Sequence, residues 1–336
     1  MKPPVPAFAG RIVRWQQSHG RHSLPWQATR EPYRVWLSEI MLQQTQVTTV
    51  LGYYARFLQK FPGVRLLAAA HEDEVLSLWS GLGYYSRARN LHRCAKEVVE
   101  RFGGEFPRTA AQLETLPGIG RSTAAAIASF CFGERVAILD GNVKRVLSRV
   151  LAFEGNDREL WSQATALLPV RDLAQTMPRY TQGLMDLGAT VCLPRNPTCL
   201  VCPLNEACGA SRQGNPQAYP VKGKKLKRTA QSLWLLRAQT RDGAVWLQKR
   251  PSTGVWAGLY CLPSFESREA LEQALPSRIE TRDGNAFKHV LTHKDLHLHP
   301  VDAVITHNRK LQLDGDWYAD WQSLGLPAPI RKLLSL

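Results

Sequence analysis

The sequence predicts a multidomain chain in which an all-α module precedes a smaller mixed α+β domain. Three observations carry this. From Phe8 to about Ala210 apolar residues recur at three- and four-residue spacing, Pro or Gly marks the breaks, and no convincing strand intervenes. The composition then turns to Gln, Gly, Pro and a basic run, Lys222, Lys224, Lys225, Lys227 and Arg228, which reads as a linker. Beyond it, Ser232 to Gln239 and Ala244 to Lys249 alternate or cluster β-branched and aromatic residues around Asp242-Gly243, a hairpin signal. The boundaries read from this pattern are residues 1–210, 211–230 and 231–336.

Composition bounds the classes of function. A chain of 336 residues with 44% apolar residues can fill two or three cores. A formal charge of +15 attracts a polyanion through counterion release, with nucleic acid the leading partner. No long apolar run or basic amphipathic helix favours a membrane. Met1 to Gly10 carries Lys2 and three prolines but no apolar core, so it does not read as a signal peptide and a cytosolic protein is expected. Seven cysteines, four of them bunched, argue for a metal or cluster over disulfides; Cys94, Cys131 and Cys261 read as small buried apolar residues.

Along the helical module, Trp36, Ile40, Val47, Val50 or Leu51 and Tyr54 can form one buried stripe, and Leu66, Leu67, Val75, Leu76 and Trp79 supply later turns of packing. Glu39 interrupts the apolar run Val35 to Leu42; a carboxylate there either turns to water or is kept at a cost for a reason. Leu116-Pro117-Gly118-Ile119-Gly120 makes a tight turn with open backbone N–H groups, and Arg121 to Ser129 reads as the helix leaving it. That is a phosphate site or a plain helix-to-helix turn. Asp140 precedes Gly141-Asn142-Val143 and is placed to cap the next helix. Cys192, Cys199, Cys202 and Cys208 put four thiols on one Pro-interrupted loop, fitting either zinc or a [4Fe–4S] cluster. In the last domain Ser267 to Leu275 reads as a helix, Ala286 to His299 as strand material with His289, His293, His297 and His299 along one face, and no Glu-rich metal box appears around Gly258.

Leu116 to Gly120, Asp140 and the four clustered cysteines together resemble the helix-hairpin-helix DNA glycosylases that carry an iron–sulfur cluster. Trp36-Leu37-Ser38-Glu39-Ile40-Met41-Leu42-Gln43-Gln44-Thr45-Gln46-Val47 and Gly81-Leu82-Gly83-Tyr84-Tyr85 look like the MutY-type, adenine-specific branch. The resemblance covers roughly the first two thirds, and more loosely the last third, which is similar to a Nudix-like domain. It implies a multidomain fold: an all-α helix-hairpin-helix glycosylase module with an iron–sulfur cluster loop, plus a C-terminal α+β Nudix-like domain. Within the module it implies a six-helix subdomain near 30–137 and a cluster subdomain of 1–29 with 138–210.

The same resemblance implies roles. Glu39 protonates adenine at N7, its pKa raised by Val35, Trp36 and Leu42. Asp140 stabilises the cationic sugar. Ser122 stands where bifunctional relatives carry lysine, so no Schiff base forms and the enzyme leaves an abasic site, with Lys144 giving at most a slow side reaction. Gln43 and Tyr84 intercalate, Gln182 contacts adenine, and Leu116, Gly118, Gly120, Ser122 and Lys144 contact DNA. Arg87, Arg89 and Arg195 are candidates for phosphate. The cysteines hold a [4Fe–4S] cluster with a structural role. The family's Phe-Ser-His motif falls on Leu291, Thr292 and His293, a departure at two positions that keeps a hydroxyl and loses an aromatic face. The implied partner is duplex DNA with adenine opposite 8-oxoguanine or guanine, bound by a monomer. An endonuclease III-like lyase, a non-catalytic DNA binder and a Nudix pyrophosphatase are the rival readings.

Overall fold

The computed structural model describes residues 7–221, 227–276, 278–305 and 311–335. Lys222, Lys224 and Lys225 of the basic run, and Lys2 with its prolines, lie outside the described residues. The chain divides into two units, Met1–Ala68 with Arg93–Gly223 and Ala69–His92 with Lys224–Leu336.

The helices run α1 (Phe8–His19), α2 (Pro32–Leu42), α3 (Val47–Lys60), α4 (Val64–Ala69), α5 (Glu72–Trp79), α6 (Ser86–Phe102), α7 (Ala110–Leu113), α8 (Arg121–Phe132), α9 (Gly141–Val150), α10 (Asp157–Ala166), α11 (Leu173–Thr190) and α12 (Gly209–Arg212). Local chemistry sets their starts. Pro32 occupies the first turn of α2 while Glu31 accepts the N–H groups of Tyr33 and Arg34, and Asn156 with Glu159 forms a capping box on α10. The expected single stripe from Trp36 to Tyr54 is broken between α2 and α3, where Gln44 turns left-handed at φ 56°. Trp36, Ile40, Val50 and Tyr54 are buried on either side of the break, whereas Leu51 is exposed. Leu66 also faces solvent, while Leu67 beside it is buried.

Phe8, Ile12, Val143, Leu147, Leu184 and Leu187 belong to the core that joins α1, α9 and α11. These helices touch backbone to backbone. A Cβ at Gly183 would lie 2.8 Å from Ile12 Cγ2, and one at Gly188 would lie 2.9 Å from the Asn142 carbonyl oxygen. Such contacts fix α11, which carries Gln182, against α9, which Asp140 caps.

In the second unit the strands are β1 (Thr229–Thr240), β2 (Val245–Lys249), β3 (Tyr260–Cys261), β4 (Ser264–Phe265), then α13 (Arg268–Gln273), β5 (Thr281–Asp283), β6 (Phe287–Val290), β7 (Lys294–Ile305), β8 (Asp316–Tyr318) and α14 (Ala328–Leu334). The order is β3-β2-β1-β7-β5; β1 and β7 run parallel from Thr229↔Lys294 to Thr240↔Ile305 and the other pairs are antiparallel. One core joins Leu296 and Leu298 to Ile330 of α14, and a second joins Val301 and Ala303 to Leu271 of α13. Residues 69–92, expected within the six-helix subdomain, pack here instead: the Tyr85 and Ser80 hydroxyls donate to the Leu326 carbonyl at 2.8 and 2.9 Å, and Lys249 pairs with Asp73 at 2.7 Å.

The strand material expected from Ala286 to His299 forms two strands. β6 folds back on β7 through Leu291, Thr292 and His293, with Phe287 opposite Leu298. That turn contains no Gly, Pro or Asn, so composition gave no signal for it. The four histidines consequently do not share a face: His289 stands opposite Leu296, His297 opposite Lys288, and His293 is in the turn.

Candidate active site

The turn Leu116 to Gly120 joins α7 to α8 as expected. Leu116 is buried beneath it, Gly118 takes φ 76°, and Gly120 is the N-cap of α8 with open space where a Cβ would be. The first N–H groups of α8 thus meet no side chain of their own cap. Ser122, in that first turn, accepts the Leu139 N–H at 3.2 Å and so ties the hairpin to the residue preceding Asp140. Asp140 caps α9, taking the Val143 N–H at 2.7 Å. Lys144, one turn on, is ion-paired with Asp157.

Glu39 lies on the wall of a cavity of about 240 Å³ together with Arg21, His22, Trp26, Gln27 and Gln182. Burial, with the nearby Asp140 charge adding to it, pushes the Glu39 carboxyl up to about 8. Burial raises Asp140 too, but backbone N–H groups of Val143 and Asn142 and the Arg145 guanidinium counteract it. The two carboxyls are therefore unequal: hydrogen bonds support the ionised form of Asp140, while Glu39 is favoured as the acid. Of the neighbours expected to desolvate Glu39, Val35 lines the cavity, whereas Trp36 is fully buried against Phe106. Trp26 and Phe130 supply the aromatic wall in its place. Gln27 presents both amide atoms buried and without a hydrogen-bond partner, which makes the cavity suited to a polar, planar ligand.

Cys192, Cys199, Cys202 and Cys208 line one apolar cavity with Val146, Leu187 and Leu204. No three His, Cys, Asp or Glu side chains among the described residues are grouped as on a single metal ion. Two arginines of α9 grip this loop. Arg149, itself buried, donates to the carbonyls of Leu193 (2.7 Å), Pro194 (3.2 Å) and Tyr219 (3.2 Å) and to Cys192 Sγ (3.3 Å). Arg145 donates to the Cys192 and Gly188 carbonyls at 2.7 and 2.6 Å. The helix that Asp140 caps is therefore bonded directly to the cysteine loop.

The HhH-GPD superfamily of base excision DNA repair proteins matches residues 37–169, and the NUDIX domain family matches residues 234–336. An adenine DNA glycosylase of Buchnera aphidicola subsp. Baizongia pistaciae is 37% identical over 346 residues, covering 98% of this chain and 96% of that protein. The chain belongs to the adenine DNA glycosylase family. The human adenine DNA glycosylase is 44% identical over 225 residues, 62% of this chain and 40% of the human protein. Among solved structures of glycosylases, a thermostable thymine-DNA glycosylase superposes with a TM-score of 0.56 at 29% identity, over 62% of this chain and 96% of its own. Endonuclease III in a non-covalent DNA complex superposes with a TM-score of 0.53 over 61% of this chain and 94% of its own, and at 21% identity shows the shared fold.

As an adenine DNA glycosylase family member the chain hydrolyses an N-glycosyl bond, and Glu39, Asp140 and Gln182 all lie in its first unit. Gln43 follows α2, its amide donating to Thr123 at 3.3 Å, and Arg195 is exposed. Tyr84 belongs to the second unit, where it is 47% exposed in a left-handed turn and shares a 2.9 Å hydrogen bond with Thr292. Arg87, a candidate for phosphate, is buried instead; it stacks on Trp79 and donates to the Leu82 and Gly83 carbonyls, so it holds the Tyr84 turn. Arg89 similarly donates to the Ala257 carbonyl. Leu291, aligned with the lost aromatic, is half-buried against the second unit's core, leaving Thr292 and His293 exposed at the tip. Sequence reasoning missed Arg21, Gln27, Arg149 and Asp186. Only Asp186, an acid in the apolar stretch Leu184 to Leu187, had a legible signal, the same one that singled out Glu39.

Proposed function

We propose that this chain is a monofunctional adenine DNA glycosylase that removes adenine mispaired with 8-oxoguanine or guanine. The observation that carries this is the unequal pair: Glu39 is held as an acid on a cavity wall, and Asp140, also raised by burial, accepts backbone N–H groups that favour its anion. With the base flipped into the cavity, Glu39 donates its proton to N7. The C1′–N9 bond then breaks with its electron pair on the departing adenine, Asp140 stabilises the cationic sugar, and water adds at C1′, its proton passing to the carboxylate that is then free. Ser122 has no amine to attack C1′, and Lys144, ion-paired with Asp157, gives at most a slow side reaction, so base removal without strand cleavage is the main course.

Gln43 and Tyr84 fill the space the base leaves, Gln182 contacts adenine, and the α8 N-terminus, with Leu116, Gly118, Gly120 and Ser122 forming its hairpin, holds a backbone phosphate. Thr292 and His293, on the turn that Leu291 anchors, inspect the opposite base. Four thiols around one apolar cavity, with the Arg149 guanidinium bonded to Cys192 Sγ, fit a [4Fe–4S] cluster held by Cys192, Cys199, Cys202 and Cys208. Bound there, the cluster supplies structural cross-linking of the loop that Arg145 and Arg149 tie to α9. A monomer on DNA is the simplest assembly for this arrangement. No helix of the described residues is long and apolar enough to cross a membrane.

The test is single-turnover processing of a duplex with adenine opposite 8-oxoguanine, labelled on the adenine strand and read with and without hot alkali. Breaks that need alkali are expected. Breaks without alkali would restore the bifunctional lyase, and tight binding with no breaks would favour the non-catalytic binder.

A further inference from the structure

Gln182 reaches the cavity that Glu39 lines, and its carboxamide is not free to turn. Its Nε2 donates to Asp186 Oδ1 at 2.9 Å, one turn further along α11. Asp186 is fully buried, and its carboxylate also accepts the Arg21 Nε at 2.7 Å on Oδ1 and the Arg21 backbone N–H at 2.9 Å on Oδ2. An ionised carboxylate only accepts hydrogen bonds, so an amide beside it must offer its NH₂. That fixes which end of Gln182 is nitrogen, independently of how the two amide atoms are told apart. The carbonyl Oε1 is left for the cavity, as an acceptor.

We infer that Asp186, anchored by Arg21, is a positioning residue that makes Gln182 an obligate acceptor and so selects a base bearing an amine next to the nitrogen that Glu39 protonates. The inference rests on the reading of Glu39 and Gln182 as the groups that meet the flipped base. Adenine presents N7 as acceptor and N6–H₂ as donor on one edge; guanine presents N7 and O6, two acceptors. A Glu39 acid opposite N7 with a Gln182 acceptor opposite the exocyclic group matches the first edge. Against guanine it sets two oxygen lone pairs together, and a buried acceptor left unpaired is costly. Asp186 touches no base in this scheme; it acts by denying Gln182 its other rotamer.

The experiment compares single-turnover removal of adenine with that of purine, the same ring with hydrogen in place of the amine, each opposite 8-oxoguanine. Their intrinsic difference in reactivity cancels when the adenine-to-purine rate ratio of each variant is divided by that of the wild type. Asp186→Asn is expected to lower the ratio about tenfold, the scale of one hydrogen bond made to a buried group, by slowing adenine and sparing purine. Gln182→Leu should lower it as much, and the double variant no further. Equal slowing of both substrates in Asp186→Asn, with the ratio lost only in Gln182→Leu, would reduce Asp186 to a structural role and overturn the inference alone. An unchanged ratio in Gln182→Leu would overturn the underlying reading of Gln182 as well. Should Asp186→Asn not fold, judged by circular dichroism and melting, Arg21→Gln loosens the same carboxylate from a partner at the cavity rim. It should lower the ratio about threefold, and an unchanged ratio there also overturns the proposal.

Discussion

In the first unit Glu39 and Asp140 sit where burial raises both carboxyls and neighbouring N–H groups then separate them, whereas in the second unit the Leu291 to His293 turn holds two side chains in solvent. Around Glu39 the wall is overdetermined, with α1, α9 and α11 in backbone contact and Asp186 bonded three times. At the turn the inner side of Leu291 packs on the core, and hydrogen bonds hold the backbone and tip: Arg228 to the Leu291 carbonyl at 2.7 Å, Leu291 N–H to the Lys294 carbonyl at 2.8 Å, Thr229 N–H to the His293 carbonyl at 3.2 Å, and Thr292 with Tyr84. The contrast is one of enclosure: burial and neighbouring charge move the carboxyl pKa values of the first region, while the polar side chains of the second stay open to solvent.

The widest separation between the two regions is expected from Glu39→Gln. Losing a general acid costs about 10²–10⁴-fold in rate, so base removal should nearly cease while duplex binding, read by fluorescence anisotropy, is retained. A parallel loss of binding would instead place Glu39 among the groups that grip DNA. The pH dependence follows with its sign fixed. In the proposed mechanism Glu39 works as the acid and Asp140 as the anion, so the single-turnover rate should decline above about 8 as Glu39 loses its proton and fall at low pH as Asp140, raised by burial, gains one.

Stability responds in the same window. The folded protein keeps the Glu39 proton between the ordinary carboxylate value of 4.5 and about 8, so this contribution is complete below 4.5 and lost as pH rises toward 8. Glu39→Gln removes that loss and should melt higher than the wild type at pH 8, with the gap closing toward pH 4.5. Melting curves at the two pH values that showed a constant gap would disprove the enclosure argument.

Smaller effects distinguish the parts of the turn. Leu291→Ala should cost about 1–3 kcal/mol of stability, because a half-buried side chain leaves the core, and a denaturant midpoint measures it. Thr292→Ala should leave the midpoint nearly unchanged and reduce the preference for 8-oxoguanine over guanine by a few-fold, about the worth of one exposed hydrogen bond. If Leu291→Ala altered that preference and left stability intact, Leu291 would be a wedge and not an anchor.

Legibility in the sequence was uneven for physical reasons. The hairpin was readable because Pro and paired Gly restrict the backbone locally, and Asp140 because an N-cap has a side-chain preference. The β6–β7 turn was not, since Leu-Thr-His carries no turn chemistry and the pairing partner lies along β7. Arg87 and Leu66 were misplaced because an arginine on a helix and a leucine in an apolar pair have the same appearance buried or exposed.

By itself the sequence determined the helical module, the sheet domain and the identity of the chemical groups, since periodicity, punctuation and residue type are local properties of a chain. The tertiary structure alone decided which state those groups adopt. Whether Glu39 is an acid at neutral pH depends on the cavity wall and the Asp140 charge, and the direction of the Gln182 amide depends on a carboxylate bonded to Arg21 from 165 residues away. Electrostatic environment and hydrogen-bond orientation are sums over neighbours in space, and those neighbours are assigned only when the chain folds.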